Sequence, residues 1–225
     1  MQVNINNVSL KQYKTSLKLN QQQKNIIIGT LLGDSSLLKS QAKDPLFTLK
    51  FEQKIASEDY VFFLYKIFSD WCGTPPKKRS IKEGFSERQS IWFKTYGHIS
   101  FKFYADQFYL FDEKFGKRKK VVPKLIHRWL NAEALAFWFM DDGTKINSGY
   151  ILNSQGFTLN ENKRLANALG KNFKFEVNIH KDDSKKNDNK VSYRLYITSK
   201  SKDDFTDVVS PFILPCFQYK LHSKS

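Results

Sequence analysis

Cysteine is scarce in this sequence of 225 residues: Cys72 and Cys216 are the only two, and neither belongs to a CxxC pair. A disulfide framework or a thiolate zinc site is therefore not expected, and a reducing compartment fits this composition. The four histidines also lack the HxxxH spacing of zinc hydrolases. Any metal in this protein should consequently be bound by carboxylates.

Long apolar runs are missing as well. No stretch approaches the ~20 consecutive apolar residues of a transmembrane helix, and no basic amphipathic helix is evident. Residues 1–7 have neither the charged and apolar regions of a signal peptide nor the composition of a transit peptide. We therefore expect no membrane partner and no secretion.

Glycine and proline are sparse, at 10 and 6 residues, while lysine, asparagine, isoleucine, phenylalanine and tyrosine are abundant. The abundant residue types have A/T-rich codons, which are typical of organelle genomes. The composition therefore favours a protein that is encoded in a mitochondrion or a chloroplast.

Positive charge is the strongest feature of the composition. The chain carries 37 Lys+Arg against 22 Asp+Glu, for a formal net charge of +15. Such a balance predicts a polyanionic partner, and nucleic acid is the leading one. The hydrophobic fraction of 40% is ample for the core of one large domain or two small ones.

The chain reads as two passes through one pattern. Each pass opens with an apolar helix, at 25–33 and at 132–140, and each helix runs into an aspartate, Asp34 or Asp142. Polar and apolar periodicity then predicts two strands, a helix, two more strands and a last helix. The predicted fold class is α+β, with tandem αββαββα half-domains at 1–113 and 131–225 and a basic linker at 114–130.

The individual elements follow from the same periodicity. In the first pass we predict strands at 36–39, 46–53, 77–82 and 90–96, with helices from 57 and over 100–112. In the second pass we predict strands at 144–146, 150–155, 174–180 and 192–198, with helices over 160–172 and 202–209. Residues 181–190 are predicted to form a long polar hairpin loop.

The two aspartates end apolar helices, where they face the partial negative charge of a helix C-terminus, so a cation should compensate them. The spacing Gly29-x-x-x-Gly33 would let a second helix approach closely. If the two apolar helices pack together, Asp34 and Asp142 lie side by side and repel, unless divalent cations bind between them and a substrate phosphate. Hard oxygen ligands select Mg²⁺, with Mn²⁺ as a substitute. The alternative is that both aspartates belong only to helix-ending turns.

Two stretches resemble LAGLIDADG motifs: IIGTLLGDS at residues 27–35 and, more closely, LAFWFMDDG at 135–143. The similarity extends through 153–158 and 211–221, and the whole is most similar to the single-chain, intron-encoded homing endonucleases of that family. The resemblance implies a pseudo-twofold fold in which the motif helices pack at the centre between two antiparallel, saddle-shaped sheets. It also implies that Asp34 and Asp142 bind the metals, assisted by the backbone carbonyls of Gly33 and Asp141.

The same resemblance implies a lysine near each scissile phosphate, at Lys120 and Lys220, that polarises water or stabilises developing charge. For Lys120 the alternative is a solvated charge among the basic residues 117–119. A pocket glutamine of the family matches Gln53, and its counterpart in the second half is Gln155 or Asn153.

The polar faces of the two sheets are predicted to bind double-stranded DNA, because antiparallel strands fit the major groove and present alternate side chains to the bases. The predicted DNA-binding residues are Lys50, Glu52, Lys54, Lys77, Lys78, Arg79, Lys82, Lys94, Arg194 and Tyr196.

The leading function that the resemblance implies is that of a monomeric homing endonuclease. Such an enzyme makes a metal-dependent double-strand break in a long, asymmetric DNA site and so promotes intron mobility. The alternative is an RNA maturase that binds its host intron RNA and assists splicing. A maturase tolerates loss of either aspartate, so the presence of both favours cleavage. A DNA-binding regulator is less well supported, because it usually adds a helix-turn-helix domain that no predicted element supplies.

Overall fold

A computed structural model describes residues 7–43, 45–83, 86–113, 115–182 and 191–223. Residues 183–190, which make up most of the predicted hairpin loop, lie outside the described residues. Backbone contacts divide the chain into two compact units. The first consists of residues up to 24 together with 35–105, and the second of residues 25–34 together with 106–225.

Seven α-helices and ten strands are named here in chain order within the described residues. They are α1 (Asn7–Ser16), α2 (Gln21–Leu32), β1 (Ser36–Lys39), β2 (Phe47–Lys54), α3 (Glu58–Phe68), β3 (Lys77–Glu83), β4 (Ser86–Lys94), α4 (Lys102–Phe108), β5 (Tyr109–Asp112), β6 (Lys117–Lys120), α5 (Ala132–Asp142), β7 (Gly143–Ile146), β8 (Gly149–Leu152), α6 (Leu159–Phe173), β9 (Val177–Asp182), β10 (Ser192–Ile197) and α7 (Lys202–Val209).

The first unit is built on an antiparallel sheet with the strand order β1-β2-β4-β3. Strand β2 alternates as its sequence predicts: Phe47, Leu49 and Phe51 are buried while the polar residues between them are half-exposed. Helix α3 covers the buried side, where the ring of Phe68 lies 5.3 Å from that of Phe51. Each fully buried side chain of this size contributes about 1.5–3 kcal/mol, so the alternation fixes which side of the sheet meets the helix.

The second unit contains a sheet of the same topology, with the order β7-β8-β10-β9. Helix α6 packs against β9 and β10 and buries Leu165 and Leu169. It begins with a capping box in which Thr158 and Glu161 each satisfy a backbone N–H of the first turn. Leu195 and Ile197 of β10 are buried, so they mark the helix-facing side of this sheet.

The predicted αββαββα repeat is confirmed. Helices α2, α3 and α4 alternate with strand pairs β1–β2 and β3–β4, and helices α5, α6 and α7 alternate with β7–β8 and β9–β10. The identical strand orders make the two sheets topological copies. Boundaries differ by up to four residues: α2 begins at Gln21, β4 begins at Ser86, β8 ends at Leu152 and β9 begins at Val177.

A two-stranded ribbon occupies the region predicted to be the end of a helix and the start of the linker. Helix α4 ends at Phe108, and Tyr109–Asp112 pairs with Lys117–Lys120. The prediction of a helix through residue 112 was therefore wrong. Tyr109, Leu110 and Phe111 favour extended backbone once a partner strand is present, and that partner follows directly in the chain. Among the described residues, no helix has the length and apolar character needed to cross a membrane.

Candidate active site

Helices α2 and α5 approach each other to backbone distance within the second unit. A Cβ atom at Gly29 would overlap the carbonyl oxygen of Ala134 and the Cβ of Phe137. At the start of the contact, Asn25 Nδ2 donates a hydrogen bond to Glu133 Oε2 at 2.7 Å. The close approach predicted from Gly29-x-x-x-Gly33 is therefore present, and glycine is required at position 29.

The close packing brings the acidic ends of the two helices together. Gly33 lies against the side chain of Asp141, where a Cβ would overlap the carboxylate. The backbone N–H of Asp34 donates to Asp141 Oδ2 at 3.1 Å. Asp34 is exposed and Asp142 is half-buried. One cluster therefore contains Asp34, Asp141 and Asp142, and the side chain of Asp141 helps to hold the two helix ends together.

Asp142 is under electrostatic strain. Burial, followed by the charge of Asp34, raises the pKa of its carboxyl group from 3.8 to about 7, against the opposing effect of Lys120 and Lys220. Two carboxylates that share a poorly solvated site disfavour joint ionisation. A cation that binds between them would relieve this cost.

Lys120 caps the end of the first acidic helix. Its ammonium donates to the carbonyl oxygen of Gly33 at 2.8 Å. Burial lowers the pKa of Lys120, and the charges of Asp141, Asp142 and Asp34 oppose that shift. Lys117 and Lys119 are exposed, so the structure separates Lys120 from its basic neighbours.

Lys220 caps the end of the second acidic helix. Its ammonium donates to the carbonyl oxygen of Met140 at 2.7 Å and lies 5.0 Å from the ring centroid of Phe217. Lys145, which the sequence did not single out, donates to the carbonyl of Leu221 at 3.0 Å and ties down the adjacent backbone. Each acidic helix thus has a cation at its C-terminus, where the helix dipole places partial negative charge.

The side chains of this cluster do not complete a metal site alone. Within the described ranges, no group of three or more His, Cys, Asp or Glu side chains is arranged to hold a metal ion. If Asp34 and Asp142 bind a metal ion, its other ligands would be backbone carbonyls, water or substrate oxygens, all of which suit hard divalent cations. The predicted ligand Gly33 O also accepts the Lys120 hydrogen bond, and a carbonyl has a second lone pair for a metal.

The three residues predicted to form the pocket, Gln53, Gln155 and its alternative Asn153, have different surroundings. Gln155 Nε2 donates to Asp182 Oδ2 at 2.9 Å, while the backbone N–H of Asn153 donates to the carbonyl of Asp142 at 2.9 Å. Asn153 is therefore the one joined directly to the motif helix. Gln53 lies in β2 of the first unit, opposite the buried Ile91.

The open face of the first sheet is the side opposite α3 and carries Thr48, Lys50 and Glu52. Glu52 receives hydrogen bonds from Lys50, Ser90 and Arg79 and forms ion pairs with both cations. Burial by itself would raise the pKa of Glu52, but these hydrogen bonds outweigh it and lower the pKa. The carboxylate thus fixes two predicted DNA-binding cations in place.

The remaining predicted DNA-binding residues of this sheet lie on both of its sides. Lys54, Lys77 and Lys94 are exposed, and Lys82 lies in β3 opposite Glu87. Lys78 instead pairs with Glu58 of α3, with 3.0 Å between Lys78 Nζ and Glu58 Oε1. Lys78 therefore lies toward the helix and away from the open face.

The open face of the second sheet is the side opposite α6 and carries Arg194 and Tyr196. Asp182 lies 3.8 Å from Arg194 Nη2 and accepts the hydrogen bond of Gln155. Tyr196 reaches Ser148, with 3.0 Å between the two hydroxyl oxygens. Each open face therefore contains a carboxylate that orients a cation, an arrangement the sequence did not reveal.

The model of the LAGLIDADG DNA endonuclease family matches residues 24–205, which include most of α2, all of α5 and both four-stranded sheets. The chain belongs to this family. The predicted resemblance is thereby confirmed, and with it the α+β fold of two four-stranded antiparallel sheets.

Individual relatives and one solved structure agree with this assignment. The DNA endonuclease I-ChuI of Chlamydomonas applanata is 30% identical over 217 residues, covering 91% of this chain and 96% of its own length. The cytochrome b mRNA maturase bI2 of Debaryomyces hansenii is also 30% identical and covers 90% of this chain and 74% of its own length. The homing endonuclease I-WcaI, solved bound to its DNA recognition sequence, superimposes with a TM-score of 0.83 at 25% identity, covering 99% of this chain and 97% of that one.

The two LAGLIDADG motifs differ at their last position for a structural reason. A Cβ at Gly143 would overlap the ring and carbonyl oxygen of Phe139, so the second motif needs its glycine. The first motif ends in Ser35, which is buried. With serine at this position, the backbone N–H of Asp34 still reaches the side chain of Asp141.

Proposed function

We propose that this protein is a site-specific homing endonuclease that cleaves both strands of a long, asymmetric DNA target by hydrolysis. The observation that carries the proposal is the meeting of Asp34 and Asp142 at the ends of two packed helices, each end capped by a lysine. The net charge of +15 supports a polyanionic substrate. Cleavage of an intronless allele would promote mobility of the intron that encodes the protein.

Mg²⁺, for which Mn²⁺ would substitute, is the proposed cofactor. Asp34 and Asp142 would hold it, together with the backbone carbonyls of Gly33 and Asp141. The bound ions supply Lewis acidity and lower the pKa of a coordinated water. The fit rests on a donor set made of hard oxygen atoms and on the raised pKa of Asp142, which marks a poorly solvated site where two carboxylates meet.

Lys120 and Lys220 are the proposed catalytic cations. Each is fixed by a carbonyl at the end of a motif helix, so its charge needs no rearrangement when negative charge develops on a phosphate. Gln53 and Gln155, or Asn153 in place of the latter, are proposed to orient water near the phosphates. Of these, Asn153 lies next to the end of the second motif helix, because its backbone N–H donates to the carbonyl of Asp142.

The open faces of the two sheets are the proposed DNA interface. Lys50, Arg79, Arg194 and Tyr196 would contact the duplex, since their side chains lie on the sides of the sheets opposite α3 and α6. We propose half-domains at 1–113 and 131–225, connected through 114–130, that act together as a monomer on the two halves of an asymmetric site. The composition supports an origin in a mitochondrial or chloroplast genome.

The decisive experiment is plasmid cleavage on a library of intron-insertion sites, with Mg²⁺ or with EDTA. The wild type should give metal-dependent, site-specific double-strand breaks. Asp142→Asn should bind the same DNA and cut neither strand efficiently, whereas the matched control Asp204→Asn, at an exposed position of α7, should cut normally. Site-specific cleavage by Asp142→Asn at the wild-type rate would disprove the proposed role of the carboxylate.

A second candidate is an RNA maturase. It is favoured by the relative named a cytochrome b mRNA maturase, which aligns over 90% of this chain. Splicing of the host intron in the presence of the protein, with no cleavage of the insertion site, would support this candidate over the endonuclease.

A further inference from the structure

Helix α6 and the segment that precedes α5 enclose a basic cleft within the second unit. The cleft has a volume of about 430 Å³. Its lining residues include Lys124 and His127 on one side and Lys163, Arg164, Asn167 and Lys171 on the other. We call these six residues the α6 cleft.

The positive charge of the α6 cleft is not neutralised by its surroundings. Its lining contains three lysines and an arginine but no carboxylate. Across the described part of the chain, the ion pairs present involve other residues. Four like charges around one concave surface repel each other, so an anion that binds there lowers their electrostatic energy.

The two walls of the α6 cleft are held together by hydrogen bonds. Arg164 Nη1 donates to the carbonyl oxygen of Val122, and Asn172 Nδ2 donates to the carbonyl oxygens of His127 and Leu130, each at 2.8 Å. Glu161, the nearest acidic residue of the helix, is buried and accepts from the backbone of Val122. The cleft is therefore preformed, and its helix wall presents charges along residues 163–171, a length of about 12 Å.

The α6 cleft lies on the other side of the second sheet from the proposed DNA interface. Helix α6 packs against the side of β9 and β10 that carries Leu195 and Ile197. Arg194 and Tyr196 alternate with these two residues, so they lie on the open face. A duplex segment that is bound against the open face cannot also contact the cleft, because the sheet lies between them. A nucleic acid that binds in the cleft should therefore be a different segment or a different molecule.

We propose that the α6 cleft binds the phosphodiester backbone of a structured RNA, at the same time as DNA occupies the open faces. The inference rests on the proposed placement of the target DNA. Several cations along one helix, backed by two asparagine side chains (Asn160 and Asn167), suit consecutive phosphates and 2′-hydroxyls. No side chain of the LAGLIDADG motifs lines the cleft, so RNA binding there would be separable from cleavage.

The test compares a cleft variant with a charge-matched control. The cleft variant is Lys163→Glu with Lys171→Glu, and both positions are exposed. The control is Lys66→Glu with Lys200→Glu, which makes the same change in net charge at two other exposed positions. The probes are an RNA hairpin of about 16 base pairs, the span that a double-stranded RNA-binding domain covers, and a DNA duplex of the same sequence. Affinities are measured over a range of salt concentrations, alongside cleavage of the insertion-site plasmid.

Three results together support the proposal. RNA affinity falls about 10-fold or more in the cleft variant, the dependence of log affinity on log salt becomes shallower by about 1–2, and the cleavage rate stays within about 2-fold of the wild type. RNA affinity that is unchanged, or that falls equally in the control variant, overturns it. A parallel loss of DNA binding overturns it too, because the cleft would then hold flanking DNA.

Two further readouts keep the outcomes separate. If the glutamate variant fails to fold, as judged by circular dichroism, Lys163→Gln with Lys171→Gln takes its place and must still lower RNA affinity. Failure of the wild type to cleave any insertion site counts against the proposed endonuclease function and leaves the RNA measurement as an independent test of the cleft.

Discussion

The ammonium of Lys120 donates a hydrogen bond to the backbone carbonyl of Gly33 across 2.8 Å, although the two residues are 87 positions apart in the chain. This contact fixes one cation at the end of the first acidic helix, beside Asp34 and Asp141. Because the bond is present before any substrate binds, the charge is already oriented for its proposed role in cleavage.

Replacing Lys120 with glutamine should slow DNA cleavage far more than it weakens DNA binding. Glutamine can still donate to the Gly33 carbonyl, so the helix end should stay capped while the positive charge is lost. We expect the single-turnover cleavage rate to fall about 100-fold or more, with DNA affinity within a few-fold of the wild type. The control is Lys119→Gln, at the exposed neighbouring position. An equal loss of rate in the control would show that the rate depends on the net charge of the protein and not on the position of the Lys120 ammonium.

Asp142→Asn should stabilise the metal-free protein in a pH-dependent way. The carboxyl group has a pKa of about 7 in the folded protein against an ordinary value of 3.8. The folded state therefore binds more protons between those values, and the free energy of unfolding falls as pH rises through that window. Asparagine cannot ionise, so the free energy of unfolding of the variant does not include this decrease with pH.

Thermal melts in EDTA at pH 5 and pH 8 check this expectation. The gain in Tm of Asp142→Asn over the wild type should be several degrees at pH 8 and smaller at pH 5, since 1 kcal/mol corresponds to about 2–4 °C for a chain of this length. Saturating Mg²⁺ should reverse the order by stabilising the wild type alone. A gain that does not change with pH would contradict the assignment of the strain to Asp142.

Gly29→Ala should destabilise the protein and abolish cleavage. The added methyl group would overlap the Ala134 carbonyl oxygen and force the two motif helices apart, at a cost of about 1–3 kcal/mol. The matched control is Gly170→Ala in α6, where the new methyl meets its nearest neighbour at an ordinary contact distance of 3.5 Å. Because alanine is the better helix former, this control should gain about 0.5–1 kcal/mol. Urea denaturation of both variants measures the difference, and a neutral Gly29→Ala would refute the tight approach.

Glu52→Gln should strengthen non-specific DNA binding and weaken site discrimination. The substitution removes one negative charge and releases Lys50 and Arg79, which the carboxylate holds. Two freed cations should steepen the salt dependence of binding to random-sequence DNA by about 1–2 in log–log slope. Glu176→Gln is the control, since it removes the same charge from an ion pair with the exposed Lys200 in the second unit and leaves Lys50 and Arg79 held. Unchanged slopes in both variants would mean that Glu52 does not restrain these cations.

Sequence periodicity was sufficient to predict the repeated topology and the acidic helix ends. Alternation in β2 predicted its buried and polar sides, and Gly29-x-x-x-Gly33 predicted a close helix approach, because both depend on the spacing of neighbouring residues. The ribbon of β5 and β6 was missed because strand formation there depends on the partner strand. The capping box of Thr158 and Glu161 carried a local signal that the sequence analysis did not use.

The sequence alone determined the charge, the two apolar helices that end in Asp34 and Asp142, and the polar sides of the strands, all of which follow from residues close together in the chain. Only the tertiary structure decided which lysine of the basic segment reaches a helix end, that Glu52 is shared between Lys50 and Arg79, and that four cations surround the α6 cleft. These relationships join residues that are distant in sequence, and their energies depend on burial and on distances of a few ångströms. Spacing along the chain does not encode such distances, because they arise when the packed helices and sheets fix the side chains against one another.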